Sequence, residues 1–502
     1  MFKIRSMRRY GFLASSIGVT CATALALAPG LPTASAAARA RTGPAADRAA
    51  SAAASAAVPG STRSLPLAPV ARDRAPGAAG VAEQGLYRTD VRHFSLVGVV
   101  WDNPDTQLHG SVQVRTRSAA TGAWSGWQDV DTHNADHGAD PGTAERTPGH
   151  LRGATAPLWV GDSDGVDVRV RADTGDHGRG TADDPPVPLP SGLRLELVDP
   201  GDPGDPGDSG AAGESGGSSG SGESGDGLQA DGDAAPAADA AADDQSRTGE
   251  LSEEATAASA ANADLAPLGA TEIPALDRED TENELLALRG DELTERQRAQ
   301  PHIGPRPRIV TRRGWGADES LRAHGFVYTK KVKAAFVHHT ASGNNYRCSQ
   351  APSVIRSIYR YHVKSMGWRD IGYNFLVDKC GTIYEGRAGG VAKAVLGAHT
   401  MGFNSNSVGI AVIGTYSKSK PSAAAVTAVA RLTAWKLGLY GMNPRGKTYL
   451  KSGGGNLYQK GKNVRLNVIS GHRDGFATDC PGKQLYGKLG SARKAAARYQ
   501  GR

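Results

Sequence analysis

Val332-Lys333-Ala334-Ala335-Phe336-Val337-His338-His339-Thr340-Ala341 is an apolar run of β-branched and aromatic residues that leads directly into two histidines. A short continuous run of this kind reads as a buried strand, which places His338 at the strand end. Neighbouring residues on a strand face opposite ways, so only one of His338 and His339 can join a given site. Downstream, residues 353–364 space Val354, Ile358, Tyr361 and His362 along one helical face, and Gly367-Trp368 closes that helix. Strands at 372–377 and 382–385 joined by a turn at 378–381, a strand at 408–413 and an Ala-rich helix at 422–437 follow. This order predicts a mixed α/β domain over residues 306–502, with a central β-sheet flanked by helices.

Near the C-terminus stands Gly471-His472-Arg473-Asp474-Gly475-Phe476-Ala477-Thr478-Asp479-Cys480-Pro481-Gly482. A His and a Cys eight residues apart in a Gly-rich loop, with His338 at a strand end, supply three zinc donors and leave a fourth position open, which is the layout of a catalytic site. Cysteine arithmetic agrees. Of the four cysteines, Cys21 lies in the N-terminal apolar region and leaves with it, so three remain. Zinc ligation by Cys480 accounts for the odd thiol and leaves Cys348 and Cys380 to pair as a disulfide.

Outward from this domain the chain is modular. Lys3, Arg5, Arg8 and Arg9 precede an apolar stretch from Phe12 to about Ala28, and Ala34-Ser35-Ala36 resembles a cleavage site, so residues 1–36 read as a secretory signal peptide and the mature protein as secreted. Arg8-Arg9 leaves the choice between the general and twin-arginine routes open. No other apolar run is long enough to span a membrane, which disfavours a transmembrane segment in the mature protein. Residues 37–85, rich in Ala, Pro, Arg and Ser, read as a disordered leader. Residues 86–199 alternate with period two, as in Ser111-Val-Gln-Val-Arg-Thr-Arg117, and predict an all-β, sandwich-like domain. Trp124 and Trp127 there read as packing residues rather than a sugar platform. His133, His137, His150 and His177 lie in Asp- and Gly-rich loops without ligand spacing, which predicts no metal site among them. Residues 200–305 read as an acidic low-complexity linker, with a short helix near 282–298.

Charge is divided between these segments. Residues 201–300 carry 24 acidic against 5 basic side chains, whereas residues 301–502 carry 33 basic against 7 acidic. A basic C-terminal domain is suited to a polyanion. Export and the lack of a basic helix or base-stacking motif exclude nucleic acid and favour anionic cell-wall polymers. Acid in the linker can shield the basic domain in cis, but a tether extended by self-repulsion is the simpler reading.

Residues 310–486 resemble the peptidoglycan-recognition-protein domain, which is similar in fold and site to bacteriophage-lysozyme-type N-acetylmuramoyl-L-alanine amidases. The resemblance is carried by Arg312-Arg-Gly-Trp315-Gly-Ala, Val337-His-His-Thr-Ala341, Tyr361-His362, Gly367-Trp-Arg-Asp-Ile-Gly-Tyr373-Asn-Phe, Tyr384-Glu-Gly-Arg387, Gly397-Ala-His399, Gly402-Phe-Asn404 and the stretch from Gly471 to Gly482. The arrangement of signal, β-domain, linker and C-terminal domain looks like secreted actinobacterial members.

The resemblance implies zinc ligation by His338, His472 and Cys480 and catalytic roles for Tyr373 and Thr478. It further implies a glycan-peptide cleft lined by His339, His362, Gly367, Trp368, Arg387, His399 and Asn404. The implied activity is zinc-dependent cleavage of the amide between N-acetylmuramic acid and L-alanine by a wall-associated monomer. Gly367-Trp368 and Arg387 match diaminopimelate-type stem peptides. Two departures bear on stem-peptide affinity: Met401 where some members carry tyrosine, and Ala388-Gly389-Gly390 where many carry Gly-Trp. The alternative is a non-catalytic peptidoglycan-binding protein using the same groove.

Overall fold

A computed structural model describes residues 60–70, 83–132, 137–143, 145–146, 151–173, 188–201 and 251–502. The signal segment, the leader up to residue 59, linker residues 202–250 and His133, His150 and His177 lie outside the described residues. Among the described residues no helix is long and apolar enough to cross a membrane.

The N-terminal domain is antiparallel. Its strands are β1 (Ser61–Pro66), β2 (Ala68–Pro69), β3 (Glu83–Arg88), β4 (Phe94–Trp101), β5 (Gly110–Ser118), β6 (Gln128–Val130), β7 (Gly153–Ala154), β8 (Leu158–Ala172) and β9 (Arg194–Asp199). The first part of β8 pairs with β4 and its second part with β3 and β5, while β9 lies between β1 and β4. Residues 60–70 were expected in the leader. They form β1 and β2 instead, because Leu65 and Leu67 pack against the domain core, a signal lost in the average composition of residues 37–85.

All eight residues of β4 are buried, in keeping with a near-continuous apolar sequence, Phe-Ser-Leu-Val-Gly-Val-Val-Trp, that suits a strand covered on both faces. Phe94, Val97, Val99 and Trp101 join the core of the N-terminal domain. Leu96 and Val100 pack instead with Ile355, Ile358 and Tyr361 of the C-terminal domain. Gly98 lies between them, and a Cβ there would sit 2.3 Å from the Tyr361 hydroxyl. The two domains therefore share a buried apolar seam.

Residues 251–305 were expected to be linker, yet they are built into the C-terminal domain as α1 (Glu253–Ala260), β10 (Glu272–Ile273), α2 (Arg278–Arg289) and α3 (Glu295–Ala299). Their acid-rich composition hid a few well-placed apolar residues, since Ile273, Leu285 and Ile303 are fully buried in the main core. Glu284 pairs with Arg306 and Glu272 with Arg308, so part of the acid does neutralise the basic domain in cis.

The remaining elements are β11 (Ile309–Val310), β12 (Ala334–His339), α4 (Ala351–Arg360), β13 (Phe375–Val377), β14 (Ile383–Glu385), β15 (Ser407–Val412), α5 (Ala423–Gly438), β16 (Lys447–Lys451), β17 (Asn463–Asn467), β18 (Ile469–Gly471), α6 (Lys483–Tyr486) and α7 (Leu489–Tyr499). The sheet runs in the order β10-β11-β14-β13-β15-β12-β18, with β12 parallel to both of its neighbours. Pleating sends Ala335 and Val337 of β12 into the core beneath α5, and Ala334 and Phe336 to the other face against Phe403. His338 follows Phe336 and His339 follows Val337. Register pairs Val337 with Gly471, so His338 and His472 emerge side by side at the carboxyl ends of β12 and β18, where α/β sheets characteristically place their sites.

Candidate metal centre and groove

His338, His472 and Cys480 come together at this sheet end, all buried, and a fourth side chain joins them: His137 of the N-terminal domain. The ligand-capable atoms of the four lie within 4.8 Å of one another. Cys480 Sγ is 3.6 Å from His137 Nε2 and 3.7 Å from His338 Nδ1. Bonds of about 2.3 Å to sulfur and about 2.0–2.1 Å to nitrogen in a tetrahedron require an S···N separation of about 3.6 Å, so the donor set fits zinc in both chemistry and spacing. The ring of His472 lies 4.5 Å from that of His338 and 4.6 Å from that of His137. His137, read from the sequence as a loop histidine without ligand spacing, lies in this cluster because its neighbours come from another domain.

His338 is oriented from behind. Its Nε2 lies 3.3 Å from Thr400 Oγ1, and Thr400 Oγ1 lies 3.0 Å from His399 Nδ1. Burial, followed by the neighbouring histidines, holds His338 and His399 well below the usual imidazole range, which keeps them neutral. Gly409 of β15 makes room for His399, since a Cβ there would lie 2.4 Å from its ring. Sequence reading missed Thr400, a common residue adjacent to a motif histidine.

Tyr373 and Thr478 flank the cluster. The Tyr373 ring is 5.6 Å from that of His338 and 5.9 Å from that of His137. Thr478 Oγ1 accepts the Cys480 amide at 3.1 Å, which leaves its O–H to donate elsewhere. Cys348 and Cys380 form a disulfide, and Cys480 is a buried thiol outside any disulfide.

The expected groove residues divide. His362 stacks on Trp368 at 4.4 Å, and burial pushes its imidazole down to about 3. Gly367, with φ of +79°, turns the chain between them. His339 lies on the far side of β12, where its Nδ1 accepts the Tyr416 amide at 3.2 Å, so it does not join the cluster. His399 and Asn404 are buried supports, Asn404 Oδ1 accepting the amides of His399 and Thr400.

Residues 137–143, 145 and 146 of the N-terminal domain pack against these expected groove residues. Asp140 Oδ1 accepts from the Gly402 amide at 2.6 Å and from Asn404 Nδ2 at 2.8 Å, and Gly138 O accepts from Asn404 Nδ2 at 2.8 Å. Glu145 pairs with Arg387 at 2.5 Å and Arg369 at 3.5 Å. Met401 lies beside Gly138. Both departures from the family pattern thus flank positions that the loop occupies.

Residues 328–483 match the N-acetylmuramoyl-L-alanine amidase family, and residues 45–189 match the Rv3811 N-terminal galactose-binding domain-like family. Peptidoglycan-recognition protein SC2 of Drosophila simulans is 30% identical over 183 residues, covering 36% of this chain and 84% of that protein. The chain belongs to the peptidoglycan-recognition and amidase family. Peptidoglycan-recognition protein 1 of Holotrichia diomphalia is 33% identical over 186 residues, covering 36% of this chain and 79% of that protein. Peptidoglycan-recognition protein LE, solved in complex with tracheal cytotoxin, a monomeric diaminopimelic acid-type peptidoglycan, is 28% identical with a TM-score of 0.29 and covers 36% of this chain and 92% of that one. In this family member the peptidoglycan-recognition domain is preceded by a galactose-binding-like β-domain.

Proposed function

We propose that the protein is a secreted, zinc-dependent N-acetylmuramoyl-L-alanine amidase acting on peptidoglycan with diaminopimelate-type stem peptides. The observation that carries this reading is the buried set of His338, His472 and Cys480 at zinc-compatible spacing, with a tyrosine alongside. His338, His472 and Cys480 would hold a zinc ion, which would supply Lewis acidity to polarise the scissile carbonyl and to ionise a water to a nucleophile near neutral pH. Tyr373 donates its phenolic hydrogen to the carbonyl oxygen as charge develops there, and Thr478 offers a second O–H from the loop that carries Cys480. Arg387 offers a planar fork to a stem-peptide carboxylate, and Trp368 with His362 forms an aromatic wall beside it. The basic surface of residues 301–502 holds the enzyme to anionic wall polymers, so wall binding should fall steeply with salt while zinc content does not.

A second reading, peptidoglycan binding without hydrolysis, is favoured by His137, because four protein donors make a closed set of the structural type. Zinc content and mass spectrometry of diaminopimelate-type peptidoglycan digests separate the two, for the wild type beside Cys480→Ser and His137→Ala. Released stem peptides beginning at L-alanine, lost together with zinc in Cys480→Ser, establish the amidase. Peptidoglycan that is bound but left intact by both zinc-loaded wild type and His137→Ala establishes the binder.

A further inference from the structure

We propose that His137, Asp140 and Glu145 are the contacts of a built-in plug, in which the N-terminal domain supplies His137 as a fourth metal ligand and keeps the groove latent until these contacts release. The inference rests on the groove being the peptidoglycan site. Three independent contacts carry it. His137 Nε2 stands at coordination spacing from Cys480 Sγ, where a catalytic site needs its open position. Asp140 is bonded to Gly402 and Asn404. Glu145 is paired with Arg387 and Arg369, so a substrate carboxylate and the loop compete for the same guanidinium. One short segment therefore supplies the fourth donor and is bonded to Gly402, Asn404, Arg387 and Arg369.

Domain docking does not rest on the plug contacts alone. Ala139 packs into the interdomain cluster, but that cluster is built mainly by β4 and β9 against α4, and other bonds cross between the domains. Among these are Tyr361 Oη to Thr155 O at 3.1 Å, Ser365 Oγ to Glu196 Oε2 at 2.9 Å and the Trp159 amide to Ser342 O at 3.0 Å. With the seam intact the loop stays tethered beside the groove, so its effective concentration is high and no cleavage of the chain is needed for it to return. A muropeptide must then bind the small open fraction, which lowers its apparent affinity by that fraction.

The test uses the full-length chain loaded with cobalt(II) or zinc, as wild type, His137→Ala and Asp140→Ala/Glu145→Ala. In the wild type, added azide should leave the cobalt absorption spectrum unchanged, because four protein donors fill the tetrahedron. In His137→Ala azide should shift it, and a soluble N-acetylmuramoyl peptide carrying diaminopimelate should bind the zinc form at least tenfold more tightly. The double variant keeps His137 but loses both anchors, and it should move towards His137→Ala in both readouts; it decides the matter if His137→Ala fails to fold. A wild-type spectrum that responds to azide as the variants do, or equal muropeptide affinity in all three proteins, overturns the plug. Hydrolysis is scored separately. Opened metal sites and tighter binding without cleavage sink the amidase and leave the plug standing, whereas cleavage at one rate in all three does the reverse.

Discussion

Thr400 Oγ1 sits 3.3 Å from Nε2 of His338, the ring whose other nitrogen lies 3.7 Å from Cys480 Sγ. A metal held at Nδ1 would leave the hydrogen on Nε2 to be donated to Thr400, whose own hydroxyl hydrogen would then point to His399 Nδ1. Such outer partners fix the tautomer and orientation of a ligand histidine. Thr400→Val keeps the shape and removes the acceptor, so zinc affinity measured by chelator competition should fall roughly 10- to 100-fold. Thr400→Ser should retain most of it. Equal affinity in all three proteins would remove Thr400 from the site.

Arg312 organises the groove from below. Its buried guanidinium bonds Glu319 at 2.7 and 3.1 Å, Asp370 at 3.1 Å and Gly386 O at 2.5 Å, while Asp370 Oδ2 accepts the Ala388 amide. One side chain thus pins the segments that carry Tyr373 and Arg387. Removing one partner of a buried pair strands the others, at about 3–5 kcal/mol. Arg312→Met should lower unfolding free energy in denaturant by that order. Arg312→Lys should recover only part of the loss, because an ammonium cannot reproduce the fork. A loss below about 1 kcal/mol for Met would mean the network adds little, as exposed pairs do.

The sequence made the C-terminal site largely readable and the interdomain part unreadable, for identifiable physical reasons. Strand periodicity puts His338 at a sheet end, and the eight-residue spacing of His472 and Cys480 is local, so both survive without tertiary knowledge. His137 is 343 residues from Cys480 and sits in a loop with no periodicity; only the docking of β4 and β9 on α4 brings it to the metal centre. The legible hint was a three-donor set next to a second domain whose Asp- and Gly-rich loop carried a histidine. Residues 251–305 were misread for a different reason, since composition averages over a segment while three buried apolar side chains are enough to anchor it. β4, by contrast, is apolar at nearly every position, which marks two covered faces without revealing that the second cover is α4.

Glu385 makes stability pH-dependent. Burial raises its carboxyl to about 7, against the opposing pull of bonds from Asn262 and the Arg312 amide and of the Arg312 charge. The folded pKa lies above the unfolded one, so the folded state retains the proton longer. The contribution of this group is therefore complete below the unfolded pKa and is lost as pH rises through about 7. Measured as the difference in unfolding free energy from Glu385→Gln, the wild type should weaken on the order of 3 kcal/mol between about pH 4.5 and about pH 8. A difference that stays flat over that range would mean Glu385 is ionised throughout.

Gly98 and Tyr361 test whether the domain seam is an energetic unit. A methyl at residue 98 would meet the Tyr361 ring at 2.3–2.6 Å, and Tyr361 is fully buried with its hydroxyl bonded to Thr155 O. Gly98→Ala should therefore cost about 1–3 kcal/mol through overpacking. Tyr361→Ala, which empties the same space, should cost about 3–5 kcal/mol. In the double variant the new methyl occupies part of the vacated volume, so the two losses should add to less than their sum by at least about 0.5 kcal/mol. Strict additivity would mean that β4 and the segment after α4 do not pack together in solution, which would also remove the tether that keeps His137 beside the metal centre.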